Sequence, residues 1–427
     1  MHYLSATKEE LLGEREVLQS KYDEIKSKNY KLDLSRGKPS ADQLDISEEM
    51  LVTISKNEDC FTESGFDCRN YGIVDGIEEA KELFAEVLEV KSENVIVCGN
   101  SSLNLMYDMI VRAMLYGVAG GNGPWLKQGK IKFLCPCPGY DRHFAICESL
   151  GIEMIPVDMN SDGPDMDTVE KLVSSDPTIK GIWCVPKYSN PQGICYSDEV
   201  IRRFASLKPA TPDFRIFWDN AYNVHHLYDE RIELLELIDE CRKAGNPDMC
   251  YIFMSTSKIT YPGSGVSVIA SSVTNIEHIK SIMSFQTIGH DKMNMLRHVK
   301  YFKNLEGIHK YMKKHAEILR PKFAIVLDAF ERELKETGIA SWLNPKGGYF
   351  VSLDVLDGCA RRTVDLCKEA GIALTPAGSS FPYHMDPHDS NIRVAPSYPS
   401  CEDLRVAVDV LCVCVKLACV EKLLKNS

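Results

Sequence analysis

Lys258 closes the run Ser255-Thr256-Ser257-Lys258, after the apolar stretch CYIFM and before ITYPGSGVS. An amine at the end of a buried strand, preceded by hydroxyls and followed by a glycine-rich turn, suits a covalent nucleophile beside a phosphate. Asp219 ends a second apolar stretch, RIFWD, and Tyr222 follows it. A carboxylate there needs a cationic partner, because an unpaired buried charge is costly. A protonated pyridine nitrogen is one such partner. Asn190-Pro191-Gln192-Gly193 makes a tight turn just beyond the stretch GIWCVP. Gly99-Asn100-Ser101-Ser102 joins a strand-like run to a helix-like one. Backbone amides at that helix start, with the hydroxyls of Ser101 and Ser102, form an anion cradle. Tyr140 and His143, in PCPGYDRH, follow another apolar run, where an aromatic can stack on a flat heterocycle. Each taken singly has a plain alternative: a surface lysine, a helix-capping aspartate, an ordinary turn, a packed tyrosine.

These residues sit at the ends of short apolar runs: IKFLCP, GIEMIPVD, GIWCVP, RIFWDN, CYIFMST and VSVIASS. Such runs, rich in β-branched and aromatic residues, are expected of strands buried on both faces of a largely parallel sheet. They alternate with helical segments between about residues 65 and 280, the pattern of an α/β domain. Thr7 to Lys28 reads as a charged amphipathic helix with an apolar stripe of Leu11, Leu12, Val17, Leu18 and Tyr22. Beyond about 305 a long helical stretch is followed by GGYFVSLDV, a helix, a loop and NIRVAPS. A last helix starts at Ser400, with Asp403 in a capping-box variant. The expected organisation is a large α/β domain over 51–305 and a smaller α+β domain made from 1–50 and 306–427. No internal repeat or low-complexity linker interrupts it.

A chain of 427 residues exceeds what one core usually fills, which favours two domains. The formal net charge of -12 speaks against nucleic acid or an anionic membrane as partner. The 16 cysteines are scattered, many in apolar runs such as those of Cys184, Cys412 and Cys414, as in a reduced cytoplasmic protein. The pairs Cys135/Cys137 and Cys412/Cys414 lack a second pair at metal-site spacing, so no metal is expected. The start, MHYLSATKEELLGERE, has no apolar core of a signal peptide, and no run approaches the roughly 20 apolar residues of a membrane helix.

In this order, the five turns resemble the class I/II aminotransferases of the pyridoxal-phosphate (PLP) fold type I superfamily. The resemblance runs from SRGKP near residue 35 to NIRVAPS near 391 and is closest to an aspartate-aminotransferase-like branch. It implies a PLP cofactor joined to Lys258 as a Schiff base, with Lys258 also shuttling a proton between substrate Cα and cofactor. It implies that Asp219 keeps the pyridine nitrogen protonated, so that the ring acts as an electron sink. Tyr222 and Asn190 match donors to the phenolic oxygen, Asn190 also facing the substrate. Tyr140 matches the stacked aromatic and His143 the partner of the aspartate. Asn100, Ser101, Ser102 and Ser255 match phosphate contacts. Tyr71, in RNYGIVDG, matches a tyrosine that reaches the neighbouring subunit's phosphate, which implies a homodimer with shared sites. Arg393 matches the bidentate clamp on the substrate α-carboxylate, and Gly37 the glycine whose backbone lies beside the substrate.

The family often carries a phosphate-binding arginine where this chain has Val266; amides of Gly263, Ser264 and Gly265 are the expected substitute. The implied reaction is ping-pong transfer from an amino acid, aspartate or glutamate by resemblance, to a 2-oxo acid such as 2-oxoglutarate. Arg36, next to Gly37, and Arg297 are the candidates for a distal carboxylate. A PLP lyase, racemase or decarboxylase, or an aminotransferase of other range, would share every cofactor residue. The effector domain of a transcription regulator would carry a DNA-binding domain before SRGKP, which here begins at residue 35. A scaffold without chemistry would not need Lys258, Asp219, Asn190, Tyr222 and Arg393 together.

Overall fold

The computed structural model describes residues 1–426. Its strands are β1 (Leu32–Asp33), β2 (Val95–Cys98), β3 (Lys132–Cys137), β4 (Glu153–Asn160), β5 (Gly163–Pro164), β6 (Ile179–Cys184), β7 (Arg215–Asp219), β8 (Cys250–Ser255), β9 (Ser267–Ala270), β10 (Ala340–Trp342), β11 (Val351–Val355), β12 (Ile372–Ala373) and β13 (Asn391–Val394). Eight of them form one sheet in the order β2-β9-β8-β7-β6-β3-β4-β5. All six apolar runs expected as strands lie in it. Strands β4, β3, β6, β7 and β8 pair in parallel. β6, β7 and β8 are buried at every position, as strands covered on both faces must be. β4, next to the short edge strand, buries Met154 and Val157 but exposes Pro156 and Asp158.

Two strands depart from the parallel pattern: the two-residue edge strand β5, antiparallel to β4, and β9. β9 runs antiparallel to both of its neighbours, β8 and β2. Antiparallel neighbours need only a short connection. The loop between β8 and β9 therefore carries Lys258 and is fastened at both ends: Ser255 pairs Ser267, and the Thr256 amide donates to the Val266 carbonyl at 2.9 Å.

A second, antiparallel sheet has the order β10-β11-β13, and β1 pairs in parallel with β12. Helices Lys8–Ser27, Leu305–Glu333, Ala360–Glu369 and Cys401–Asn426 build an apolar core with it. The N-terminal helix has its full capping box: the Glu10 amide donates to Thr7 Oγ1 and the Thr7 amide to Glu10 Oε2. Its apolar stripe is narrower than expected. Leu11, Leu18 and Tyr22 are buried, whereas Leu12 is 39% and Val17 51% exposed. At about 100° per residue, the first three share one face and the other two lie well off it. The last helix is capped by Ser400, whose hydroxyl accepts from the Asp403 amide at 3.1 Å. Among the described residues no helix is long and apolar enough to cross a membrane. The carboxyl ends of β3, β6, β7 and β8 open on one edge of the large sheet, where such sheets hold their ligands.

Candidate active site

Lys258 projects its Nζ to within 2.7 Å of the Tyr222 hydroxyl, to which it donates. Its carbonyl accepts from the Tyr349 hydroxyl at 3.2 Å and from His225 Nε2 at 3.1 Å. Burial pushes His225 down to about 3, so the imidazole is neutral at pH 7. Burial likewise holds the Lys258 ammonium below the ordinary lysine value, against the opposing pull of the nearby Tyr140 and Asp219. A depressed value enlarges the fraction of free amine, the nucleophilic form.

Asp219, at the end of β7, is 2% exposed. One carboxylate oxygen lies 3.0 Å from His143 Nε2, within hydrogen-bond distance. The other oxygen is buried and has no partner. His143 is fixed in turn by Trp183, whose ring stacks on the imidazole at 4.3 Å and 8°. Tyr140 meets His143 edge-on at 5.0 Å. Burial raises the Tyr140 phenol to about 12, against the nearby lysine, so it stays a neutral ring.

The residues expected to form an anion cradle come together from three segments. Ser101 stands at the N-cap of the Ser102–Tyr116 helix, and its hydroxyl caps nothing. The Ser102 hydroxyl donates to Ser255 Oγ at 3.3 Å, Ser255 to Ser257 Oγ at 3.2 Å, and Ser257 to Asn100 Oδ1 at 3.1 Å. Asn100 is anchored on the Pro262 carbonyl at 2.7 Å. Of the three amides expected to replace an arginine at Val266, that of Ser264 is not free: it donates to the Tyr261 carbonyl at 3.0 Å. Instead, Arg297 Nη2 donates to Ser264 Oγ at 3.0 Å, and Asn294 donates to the carbonyls of Ser264 and Gly265. Arg297 is thus tied to this loop through Ser264 and to Asn294.

Arg393 comes from β13 of the second sheet and is 8% exposed. Its Nη1 donates to Asn190 Oδ1 at 3.3 Å and to Asp141 Oδ1 at 2.8 Å; Nη2 donates to Thr375 Oγ1 at 3.2 Å. The Phe350 ring lies under the guanidinium at 5.0 Å. Gly37 is pressed on that ring, where a Cβ would come within 2.3 Å, so no side chain fits there. Arg36 beside it is exposed. Tyr71 is 79% exposed. Trp183, Ser257, Asp141 and Thr375 were not among the sequence candidates. Ser257 and Asp141 carried a signal, their places inside the STSK and PCPGYDRH runs.

The cleft thus holds a depressed lysine amine, a bare buried carboxylate oxygen, a hydroxyl-lined helix start and a buried guanidinium. The profile of the Aspartate amino-transferase family matches residues 6–427. The chain is 49% identical over 425 residues to a putative aminotransferase of Mycolicibacterium smegmatis, covering 99% of each. It is 47% identical over 406 residues to an aspartate aminotransferase of Corynebacterium glutamicum, covering 95% of this chain and 94% of that one. The crystal structure of an aspartate transaminase from Corynebacterium glutamicum superposes with a TM-score of 0.95 at 46% identity, over 97% of both chains. The chain belongs to the aspartate aminotransferase family, has the fold type I architecture and is an aminotransferase.

Proposed function

We propose that this cleft binds pyridoxal 5'-phosphate and that the protein moves an amino group between aspartate or glutamate and a 2-oxo acid such as 2-oxoglutarate. The observation that carries the cofactor is the buried, partnerless oxygen of Asp219, facing the same cleft as the Lys258 amine. A protonated ring nitrogen satisfies it; water or an apolar ligand leaves a buried charge unmatched. When bound, the cofactor supplies the electrophile and electron sink for chemistry at the substrate Cα.

The chain's own residues do the rest. Lys258 presents a free amine and moves a proton at the Cα. Tyr222 and Asn190 hold the phenolic oxygen, Tyr140 covers one ring face, and His143 fixes Asp219. Asn100, Ser101, Ser102 and Ser255 bind the phosphate, joined by Ser257. Arg297 supplies the fixed positive charge that Val266 does not, acting through the Ser264 hydroxyl. Arg393 takes the α-carboxylate with Asn190 beside it, and the Gly37 backbone leaves room for the substrate. The aspartate preference rests on the 47% identity to the Corynebacterium glutamicum enzyme. A panel of amino donors with 2-oxoglutarate tests it: aspartate and glutamate should give the highest kcat/KM. Amino-acid consumption without a 2-oxo acid would point to a lyase or decarboxylase instead.

Arg36 is exposed and is proposed to bind the distal carboxylate. Arg36→Ala should then lower kcat/KM for aspartate and glutamate about tenfold or more, the scale of one lost charge-assisted hydrogen bond, and leave alanine nearly unchanged. An equal loss for all donors would make Arg36 a structural residue.

We also propose a cytoplasmic protein that forms a homodimer with shared sites; the match of Tyr71 to a tyrosine serving the neighbouring subunit's phosphate, and its 79% exposure, support the dimer. Tyr71→Phe and Lys258→Ala proteins, each impaired, should regain activity when mixed, each heterodimer forming one intact site. No rescue would place Tyr71 in its own subunit's site. The division into a large domain over 51–305 and a small one from 1–50 and 306–427 is supported by the separate sheets and by the apolar core under the second of them.

A further inference from the structure

The carboxylate clamp already holds a carboxylate. Asp141 Oδ1 accepts from Arg393 Nη1 at 2.8 Å, the shortest of the guanidinium's hydrogen bonds. Asn190 shares that Nη1, and Thr375 takes Nη2. Of the two N–H donors left over, that of Nε is buried without a partner. A guanidinium offers a carboxylate two parallel donors. Here both Nη1 hydrogens are engaged, one of them by an internal anion, so a substrate α-carboxylate arriving end-on across Nη1 and Nη2 meets both a blocked donor and a like charge.

Asp141 has somewhere to go. It is the first residue of the Asp141–Ser149 helix, where the unpaired amides of the first turn favour negative charge. Its side chain is 28% exposed, against 8% for Arg393. Rotation about its own side-chain bonds therefore carries the carboxylate to water and helix terminus without moving the backbone. Arg393 stays in place, held by Asn190, Thr375 and the Phe350 ring.

We propose that Asp141 is a specificity-determining internal competitor for the Arg393 clamp. It keeps the guanidinium paired and aimed while the cleft is empty. It is displaced only by a ligand that offers the two-point contact of a carboxylate, and so excludes small anions that cannot. This rests on Arg393 being the α-carboxylate clamp.

The test uses maleate, a dicarboxylate with no amino group to react, titrated into the holoenzyme and read by the change in visible absorption. Asp141→Asn and Asp141→Ala should each bind maleate about tenfold more tightly than wild type, the scale of one charge-assisted hydrogen bond. In both, chloride should become an effective competitor of maleate, which it is not in wild type. KM for the amino donor should fall with a smaller change in kcat. A merely structural Asp141 would weaken maleate binding or leave it unchanged in both variants, and either result overturns the proposal. Arg393→Gln separates the two levels. If it abolishes maleate binding while the Asp141 variants gain nothing, the clamp stands and the competitor falls. If Arg393→Gln leaves maleate affinity intact, the clamp reading fails and takes the competitor with it.

Discussion

Lys258→Ala should yield a folded protein with kcat reduced about 10⁴-fold, the upper end of what a positioned proton-transfer group contributes. The fold should persist because the side chain makes one hydrogen bond, to Tyr222, while the contacts from His225 and Tyr349 go to the Lys258 carbonyl, which alanine keeps. Borohydride reduction of wild-type holoenzyme, followed by peptide mapping, should place the pyridoxyl group on Lys258. A label on any other lysine would overturn the assignment. The depressed Lys258 value adds a pH signature: capture of cofactor by apoenzyme should reach its maximal rate below the pH near 10.4 at which an ordinary lysine is half deprotonated.

Asp219→Ala should cost about 10²–10³ in kcat, the size seen when a preorganised electrostatic partner of the reacting system is removed. Folding should suffer less. The variant leaves His143 without its buried acceptor, a loss of about 1–3 kcal/mol, but Trp183 still stacks on the ring. Asp219→Asn is the sharper probe, because it keeps the shape and removes only the charge. Comparison of kcat with the thermal midpoint for both variants checks the split. Near-normal kcat in Asp219→Ala would end the proposed role.

Much of this cleft was legible because its residues follow strands that announce themselves. Asp219 and Ser255 end runs of continuous apolar sequence, and a strand end fixes where the next few side chains emerge. What stayed hidden depends on partners far away in the chain. Asp141 meets Arg393 across 252 residues, and Arg297 meets Ser264 through a helix whose register no pattern reveals. Trp183 reads as one more apolar residue of GIWCVP, because nothing local says that His143 will lie flat against it. The direction of β9 was equally silent: VSVIASS is buried on both faces whichever way it runs. The N-terminal helix shows the converse case. Its existence and cap were plain, but its buried face was set by the partner helices, which leave Leu12 and Val17 outside.

The reversed β9 also bears on the order in which the cleft assembles. Ser255 and Ser267, which close the lysine loop, are neighbours along the chain by the standards of this fold. Cys98, on the strand that leads to the Asn100–Ser102 turn, pairs with that same Ser267 from the far side, across a long intervening stretch. Contacts close in sequence form at small loop-closure cost, and distant ones later. The nascent chain therefore meets the lysine end of the site as a local hairpin, whereas the anion end waits for β2 to dock on the edge that β9 presents. Cofactor added during refolding has its amine partner, with Ser255 and Ser257, before Asn100, Ser101 and Ser102 complete its phosphate seat, so tight retention should emerge only with the last step of sheet closure.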